Sequence, residues 1–210
     1  MIHISLKYHN YRTYTESPDC IVVGQGFYQD KLYKGKEFHS LVSSWSKKED
    51  FIEGIQQLNG FYALICTKGK RLFATVDRVR SIPLFYGQKG TDFYLSDSAD
   101  WVRQQVGNQQ FDSLAKEEFL LTGYVTGPDT LFPDVKQLQA GECIFLEDTP
   151  EGLNIKKHKY FKYIHNYPDS ISEDKLLVQH DEVLLNIFNR LIQIAAGRTI
   201  VVPLSGGYDS

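Results

Sequence analysis

The chain has 210 residues, enough for one large domain or for one domain and part of another. Its formal net charge of −3 leaves no basic footprint for nucleic acid. No apolar run approaches the length of a membrane span, and the polar start MIHISLKYHN is unlike a signal peptide, so a cytoplasmic protein with no membrane or nucleic-acid partner is expected.

In chain order, IHISLKY alternates apolar and polar residues as a strand with one wet face does. CIVVGQGFY reads as a second strand, with Gly24 and Gly26 permitting a bulge or a close backbone approach. SKKEDFIEGIQQL predicts a helix opened by a capping box of Ser46 and Glu49, with Phe51, Ile52, Ile55 and Leu58 on one face. GFYALICT, RLFATVD, PLFYG and DFYLSD read as strands, and the Gly- and Lys-bearing links KGK and QKGTD make antiparallel hairpins. SADWVRQQVG and DSLAKEEFLLTG read as short helices, each ending at a glycine able to take a left-handed cap. ECIFLE is a further strand. Cys20, Cys66 and Cys143 are odd in number, far apart in the chain and without C-x-x-C spacing, which predicts buried or half-buried thiols. The six histidines show no metal-binding spacing, so no metal site is expected in this chain.

The polar stretch IHNYPDS, residues 164 to 170, marks a domain boundary, dividing the chain into 1–165 and 166–210. Beyond it Ser170 and Glu173 form a second capping box. Leu176, Leu177, Val183, Leu184, Ile187, Leu191 and Ile194 trace one face of a helix ending at Gly197. TIVVPL is a continuous apolar run of the kind buried on both faces of a parallel sheet. An antiparallel α+β domain is thus followed by what reads as the first helix and strand of an α/β domain.

That strand runs into Ser205-Gly206-Gly207-Tyr208-Asp209-Ser210. Two glycines let a backbone turn converge several N–H groups on one point, and the hydroxyls of Ser205 and Ser210 can donate to phosphate oxygens. A helix beginning just after would aim its positive end at the anion. Asp209 cannot donate to phosphate when ionised, but can cap a helix, hold a metal ion or bind a nearby amide. The expected ATP- and pyrophosphate-binding set is therefore Ser205, Gly206, Gly207, Asp209 and Ser210.

The pattern S-G-G-x-D-S resembles the pyrophosphate loop of the ATP pyrophosphatase family, which includes asparagine, GMP and argininosuccinate synthetases. Three upstream stretches narrow the resemblance to asparagine synthetase. LNGFYALI followed by ATVDRVRSIPLFYG resembles its paired strands, L-x-G-x-F/Y-A and D-R-x-G-x-x-P-L-Y. FYLSDSADWV resembles the strand-to-helix step that follows, and FLLTGYVTGPDTLFPDVKQLQAGECIFL resembles its Y-V-P-G-x-x-T-L-F…L-x-P-G segment. Read structurally, Tyr62, Phe73, Leu84 and Phe85 are core residues, Asp77 and Arg78 a hairpin ion pair, and Thr130 and Phe132 order a loop.

The resemblance implies an Ntn-type four-layer α/β/β/α sandwich of two antiparallel sheets over 1–165. At 166–210 it implies the start of a truncated adenine-nucleotide alpha-hydrolase-like α/β domain. Such an amidotransferase hydrolyses glutamine in its first domain. In its second it activates a carboxylate as an acyl-adenylate, using ATP and Mg2+, for amide formation.

The family's glutaminase uses a Cys directly after the initiator Met, whose free α-amine serves as base. Residue 2 here is Ile2, and the family's R-G-P-D and N-G-E segments are absent from the sequence. No catalytic residue is therefore assigned, and glutamine hydrolysis is expected to be lost. Cleavage before Cys20 in CIVVG, which faintly resembles the family's C-G-I-x-G start, would sacrifice a well-patterned strand.

The expectation is the N-terminal part of an asparagine synthetase-like carbon–nitrogen ligase, inactive alone and without a cofactor of its own. Its partner would be its own C-terminal synthetase domain, with ammonia supplied by free ammonium or a separate glutaminase. The alternatives are a β-lactam-synthetase-like ligase using an amine, and a non-catalytic glutaminase-like interaction module.

Overall fold

The computed structural model describes residues 1–7, 14–17, 19–107, 109–165 and 171–207. Along the chain these form β1 (Ile2–Ser5), β2 (Tyr14–Ser17), β3 (Cys20–Tyr28), β4 (Lys31–Lys34), α1 (Gly35–Ser44), α2 (Lys48–Gln57), β5 (Asn59–Lys68), β6 (Arg71–Val76), β7 (Phe85–Lys89), β8 (Asp92–Ser96), α3 (Ala99–Val106), α4 (Ser113–Thr122), β9 (Lys136–Gln137), β10 (Glu142–Thr149), β11 (Gly152–Lys159) and α5 (Glu173–Ala195). The result is a mixed α+β chain with two sheets and five helices among the described residues. It divides into two compact units, Met1–Tyr163 and Ile164–Ser210.

In the first unit a seven-stranded sheet runs β11-β10-β6-β5-β3-β2, with β4 also on β3. All its pairings are antiparallel. A four-stranded sheet runs β1-β8-β7-β9, and here β1 pairs with β8 in parallel. The KGK and QKGTD links close hairpins as expected: Lys68 faces Arg71 across β5 and β6, and Lys89 faces Asp92 across β7 and β8.

Period-two alternation sends the side chains of each central strand into two different cores. Cys20, Val22, Tyr62, Leu64, Cys66, Phe73, Cys143 and Phe145 join Phe38 and Val42 of α1, Trp45, and Phe51 and Ile55 of α2. The intervening Val23, Ala63, Ile65, Leu72, Ala74, Val76, Ile144 and Leu146 meet Tyr86, Phe93 and Leu95 of the smaller sheet. Phe51 sits with its ring centroid 5.7 Å from Phe73 and 6.3 Å from Phe145. Such tilted and edge-on ring pairs each contribute about 0.5–1.5 kcal/mol beyond the apolar area they bury. Beside the smaller sheet, a Cβ at Gly87 of β7 would press on Val102 and Val106 of α3.

Helix boundaries follow local chemistry. Ser98 caps α3 by accepting from the Trp101 N–H at 3.3 Å, and Asp112 caps α4 by accepting from the Ala115 N–H at 2.8 Å. Both helices end on left-handed glycines, Gly107 and Gly123. The start of α2 differs from expectation by one residue. Asp50, not Glu49, turns back to accept the Lys47 N–H at 3.1 Å, and the Ser46 hydroxyl donates to the same carboxylate at 3.4 Å.

Helix α1 and strands β2, β4, β9 and β11 have no counterpart in the sequence pattern. α1 follows directly on β4 and has no side-chain cap to announce it.

In the second unit α5 starts after Ser172 and ends on left-handed Ala196, one residue before Gly197. Ser170, assigned to its capping box, lies outside the described residues, as do Pro168 of the expected boundary and Tyr8 at the end of the first predicted strand. The predicted strand over 199–204 belongs to no ladder, and Val201, Val202 and Leu204 are exposed. A strand is held by hydrogen bonds to a neighbour, and the described residues pair no strand with this run.

Gly24 lies in β3 at φ +96°, and a Cβ there would collide with the Phe61 carbonyl oxygen of β5. Gly24→Ala is expected to cost about 2–4 kcal/mol of stability, combining backbone strain with displacement of a central strand. Gly69→Ala, at φ +61° in open space, should cost only about 1 kcal/mol. Equal shifts of the urea midpoint for the two variants would refute the close approach at Gly24.

Candidate functional site

Asp77 follows β6 directly and has no exposed surface. Its carboxylate accepts the Tyr62 N–H at 3.1 Å, the Val79 N–H at 2.9 Å and the Ser81 N–H at 3.1 Å, as well as the Ser81 hydroxyl. Its backbone carbonyl accepts from Gly141 at 3.0 Å and Arg80 at 3.1 Å. The expected ion pair with Arg78 is not formed. The Arg78 guanidinium instead donates to the Gln56 carbonyl at 2.8 Å and lies over the Phe161 ring, because Asp77's oxygens are already committed to the turn. Arg80 takes the place of the glycine in D-R-x-G and holds φ +57°. Its guanidinium donates to the Gln137 side chain.

Beside this turn the Tyr160 hydroxyl donates to the Val76 carbonyl at 2.7 Å and lies 3.1 Å from the Tyr62 hydroxyl. Burial pushes both phenols up, Tyr160 to about 12, so they act as neutral hydrogen-bonding groups. Tyr62, Phe73 and Leu84 are buried as expected, and Phe85 is half-buried. The Thr130 hydroxyl donates to the Val135 carbonyl at 2.8 Å and accepts the Phe132 N–H at 3.1 Å, ordering its loop.

At the start of β1 the Met1 amine donates to the Thr91 carbonyl at 2.9 Å and pairs with the Asp92 carboxylate at 3.2 Å. His3 Nε2 lies 3.1 Å from the same carboxylate, and its ring stacks on Tyr94. Hydrogen bonds from His3 and the terminal amine hold Asp92 below its ordinary value of 3.8.

Of the residues assigned to phosphate, Ser205, Gly206 and Gly207 lie in an exposed bend, with Gly206 at φ +81°. Asp209 and Ser210 lie outside the described residues.

The three thiols are all buried, as their spacing implied. Separation in sequence is nevertheless misleading for two of them. Cys20 and Cys66 face each other across β3 and β5, with sulfurs 2.7 Å apart. Cys143 is alone, its thiol donating to the His158 carbonyl at 3.4 Å and pushed up to about 12 by burial. Around the pair, His39 Nε2 lies 2.9 Å from the Ser17 hydroxyl oxygen, which accepts the Cys20 N–H at 3.1 Å. The Cys66 hydrogen bond, the Ser43 hydroxyl and the Lys68 charge lower Cys20 against the opposing effect of burial, whereas Cys66 is raised by its bond to Cys20 and by burial. The signal for this pair was the antiparallel register of β3 and β5, which cannot be read across the helices between them.

The first unit is thus an antiparallel core sheet flanked by a second sheet, the two joined at the turn that Asp77 holds. A family model described as a glutamine amidotransferase domain matches residues 41–161, more than half of the chain, and the chain belongs to that family. Among solved structures it is similar to a glutamine phosphoribosylpyrophosphate amidotransferase from B. subtilis complexed with ADP and GMP. Identity is 12%, the match covers 71% of this chain and 31% of that one, and the TM-score is 0.42. A structure described as the allosteric regulatory enzyme of purine biosynthesis matches at 13% identity over 75% of this chain and 33% of that one, with a TM-score of 0.45. The chain thus spans about a third of the length of these structures. No curated protein matches it. Among the described residues no helix is long and apolar enough to cross a membrane, and none of their His, Cys, Asp and Glu side chains group to hold a metal ion.

Asp77→Ala is expected to destabilise the domain by about 3 kcal/mol, because it strands buried N–H donors. A loss under about 1 kcal/mol in urea unfolding would show that the turn does not need its carboxylate. At Asp92 the folded-state pKa lies below the unfolded one, so its contribution is present above pH 3.8 and is lost as pH falls through the folded value. Asp92→Asn should therefore flatten the acid limb of the stability–pH curve below that point and lower stability at neutral pH. Superimposable acid limbs for variant and parent would contradict the assignment.

Proposed function

We propose that the chain is the glutaminase-like portion of an asparagine synthetase-like, ATP-dependent ligase in which glutamine hydrolysis has been lost. One observation carries the loss of hydrolysis. Cys20 opens β3, Cys66 and Cys143 lie within β5 and β10, and each follows another residue in the chain, so none bears a free α-amine here. An N-terminal nucleophile glutaminase needs that amine as its local base. The Met1 amine is engaged by Thr91 and Asp92. Absence of R-G-P-D and N-G-E from the sequence agrees. Packing within the first unit supports an Ntn-type four-layer sandwich, with α1 and α2 on one sheet, the second sheet behind it and α3 beyond.

The ligase half of the proposal rests on the order of the resembling segments and on the Ser205–Gly206–Gly207 turn. The left-handed Gly206 is a backbone conformation that phosphate-cradling turns use. The Ser205 hydroxyl and the N–H groups of Gly206 and Gly207 would take the phosphates of ATP, with Mg2+ as its counter-ion. α5 exposes Val183, Leu185, Ile187, Phe188 and Ile192 along 23 residues. That apolar surface suits a helix packed on the sheet of an α/β domain. The proposed domain limits are 1–165 and 166–210, and the proposed nitrogen source is ammonium, a separate glutaminase or an amine substrate.

A second reading, a non-catalytic interaction module, is favoured by α4, whose Leu120 and Leu121 are 73% and 86% exposed. Assay of the full-length gene product separates the readings. Carboxylate-dependent pyrophosphate release with ammonium, unchanged by glutamine, is the expected result. Glutamine-driven turnover would overturn the loss of the glutaminase. Failure to bind ATP would overturn the ligase and leave the module.

A further inference from the structure

We propose that Cys20 and Cys66 form a redox-active dithiol that small hydroperoxides close to a cross-strand disulfide. Register is the first support. The Thr67 N–H donates to the Asp19 carbonyl at 2.8 Å, so residues 19 and 67 form a hydrogen-bonded pair. Bonded and non-bonded pairs alternate along an antiparallel ladder. Cys20 and Cys66, the next opposed pair, therefore occupy the non-bonded position, where facing Cα atoms come within about 4.5 Å. That lies inside the range a disulfide spans, about 4.4–6.8 Å. With sulfurs already 2.7 Å apart, a bond can form without moving either strand.

Access and asymmetry are the second support. A cavity of about 540 Å3 lies over the pair, lined also by Ser17, Asp19, His39, Ser43 and Lys68. Cys20 and Cys66 are themselves only 3% and 2% exposed, so a small oxidant reaching them comes through this cavity. The Cys66 hydrogen bond, then the Ser43 hydroxyl and the Lys68 charge, favour the thiolate at Cys20. The Cys20 thiolate attacks one peroxide oxygen and breaks the O–O bond, giving a sulfenic acid and hydroxide. Hydroxide takes up the proton that Cys20 released. Cys20 is then neutral, and the bond that held the Cys66 proton is gone. Cys66 sulfur attacks the sulfenyl sulfur, and its proton leaves with the departing oxygen as water. With hydrogen peroxide, two thiols and one peroxide yield one disulfide and two waters; an organic hydroperoxide yields its alcohol in place of the first water. Cys143, isolated and with a raised pKa, is the internal control.

The test is thiol mapping of the full chain. Protein reduced with dithiothreitol and treated with hydrogen peroxide should lose the mass of two hydrogens. It should yield one peptide pair linked through Cys20 and Cys66, and dithiothreitol should reverse the change. Cys143 should be consumed at least about tenfold more slowly. In Cys66→Ser, the Cys20 sulfenic acid should persist and be trapped by dimedone. Peroxide that leaves all three thiols free would overturn the proposal. So would consumption of Cys143 at the rate of Cys20, or a bridge that forms but resists dithiothreitol in the folded protein. The wild-type mapping stands even if the variant does not fold.

Discussion

The crossover between the two sheets hangs on the carboxylate of Asp77. β6 belongs to the large sheet and β7 to the small one, so residues 77–84 carry the chain from one layer to the other. A carboxylate with no exposed surface must be met by donors, because an unpaired buried charge costs several kcal/mol. Here the donors come from β5 through Tyr62 and from the turn itself through Val79 and Ser81. The Asp77 carbonyl then receives Gly141 at the entrance to β10. One residue, through its carboxylate and its carbonyl, therefore ties together the exit of β6, β5 and the approach to β10. The strain at Arg80, a non-glycine residue at φ +57°, persists because the surrounding bonds over-determine the turn.

Burial of the large sheet on both faces is the second constraint. Each central strand must supply apolar residues to two cores at once, so stretches such as YALIC lose the alternation of a half-exposed strand. Cysteine suits these positions because it is small and apolar. The same demand sets Cys20 against Cys66 on the helix-facing side of adjacent strands. Packing accounts for their burial but leaves the lowered thiol at Cys20 unexplained. The hydrogen bond from Cys66 supplies the largest part of that, and Ser43 at the end of α1 and Lys68 at the end of β5 add to it.

What the sequence made legible follows from how local each signal is. The hairpins at KGK and QKGTD, the capped helices α3 and α4, and the helical face of Phe51, Ile55 and Leu58 rest on chemistry within a few residues, and they lie where the pattern put them. α1 escaped notice because it has no capping side chain, and β4 because Lys31–Lys34 is short and mostly exposed. β11 reads GLNIKKHK, an edge strand whose polarity hides its pairing with β10. The Asp77 joint and the Cys20–Cys66 pair were out of reach because both depend on register between strands distant in sequence. Continuous apolarity was also a weaker guide than it seemed. In TIVVPL it implied a parallel sheet, yet the same texture in β5 belongs to an antiparallel one.

The sequence stretches on which the proposed ligase reading rests divide by physical role. LNGFYALI and ATVDRVRSIPLFYG contain Tyr62, Asp77 and Leu84, which build the joint between the sheets. PDTLF contains Thr130, whose hydroxyl orders the loop leading to β9. None of these groups needs a reacting substrate to account for its place; each is satisfied within the fold. On the proposed reading, the requirements of the scaffold and those of glutamine hydrolysis are separable. The first are met by buried hydrogen bonds that would be costly to lose one at a time, whereas the second hung on a single exposed amine and thiol whose loss leaves the sheets untouched. On that reading a domain can shed the chemistry and keep the architecture, and the proposed thiol pair then answers to the geometry of β3 and β5 alone.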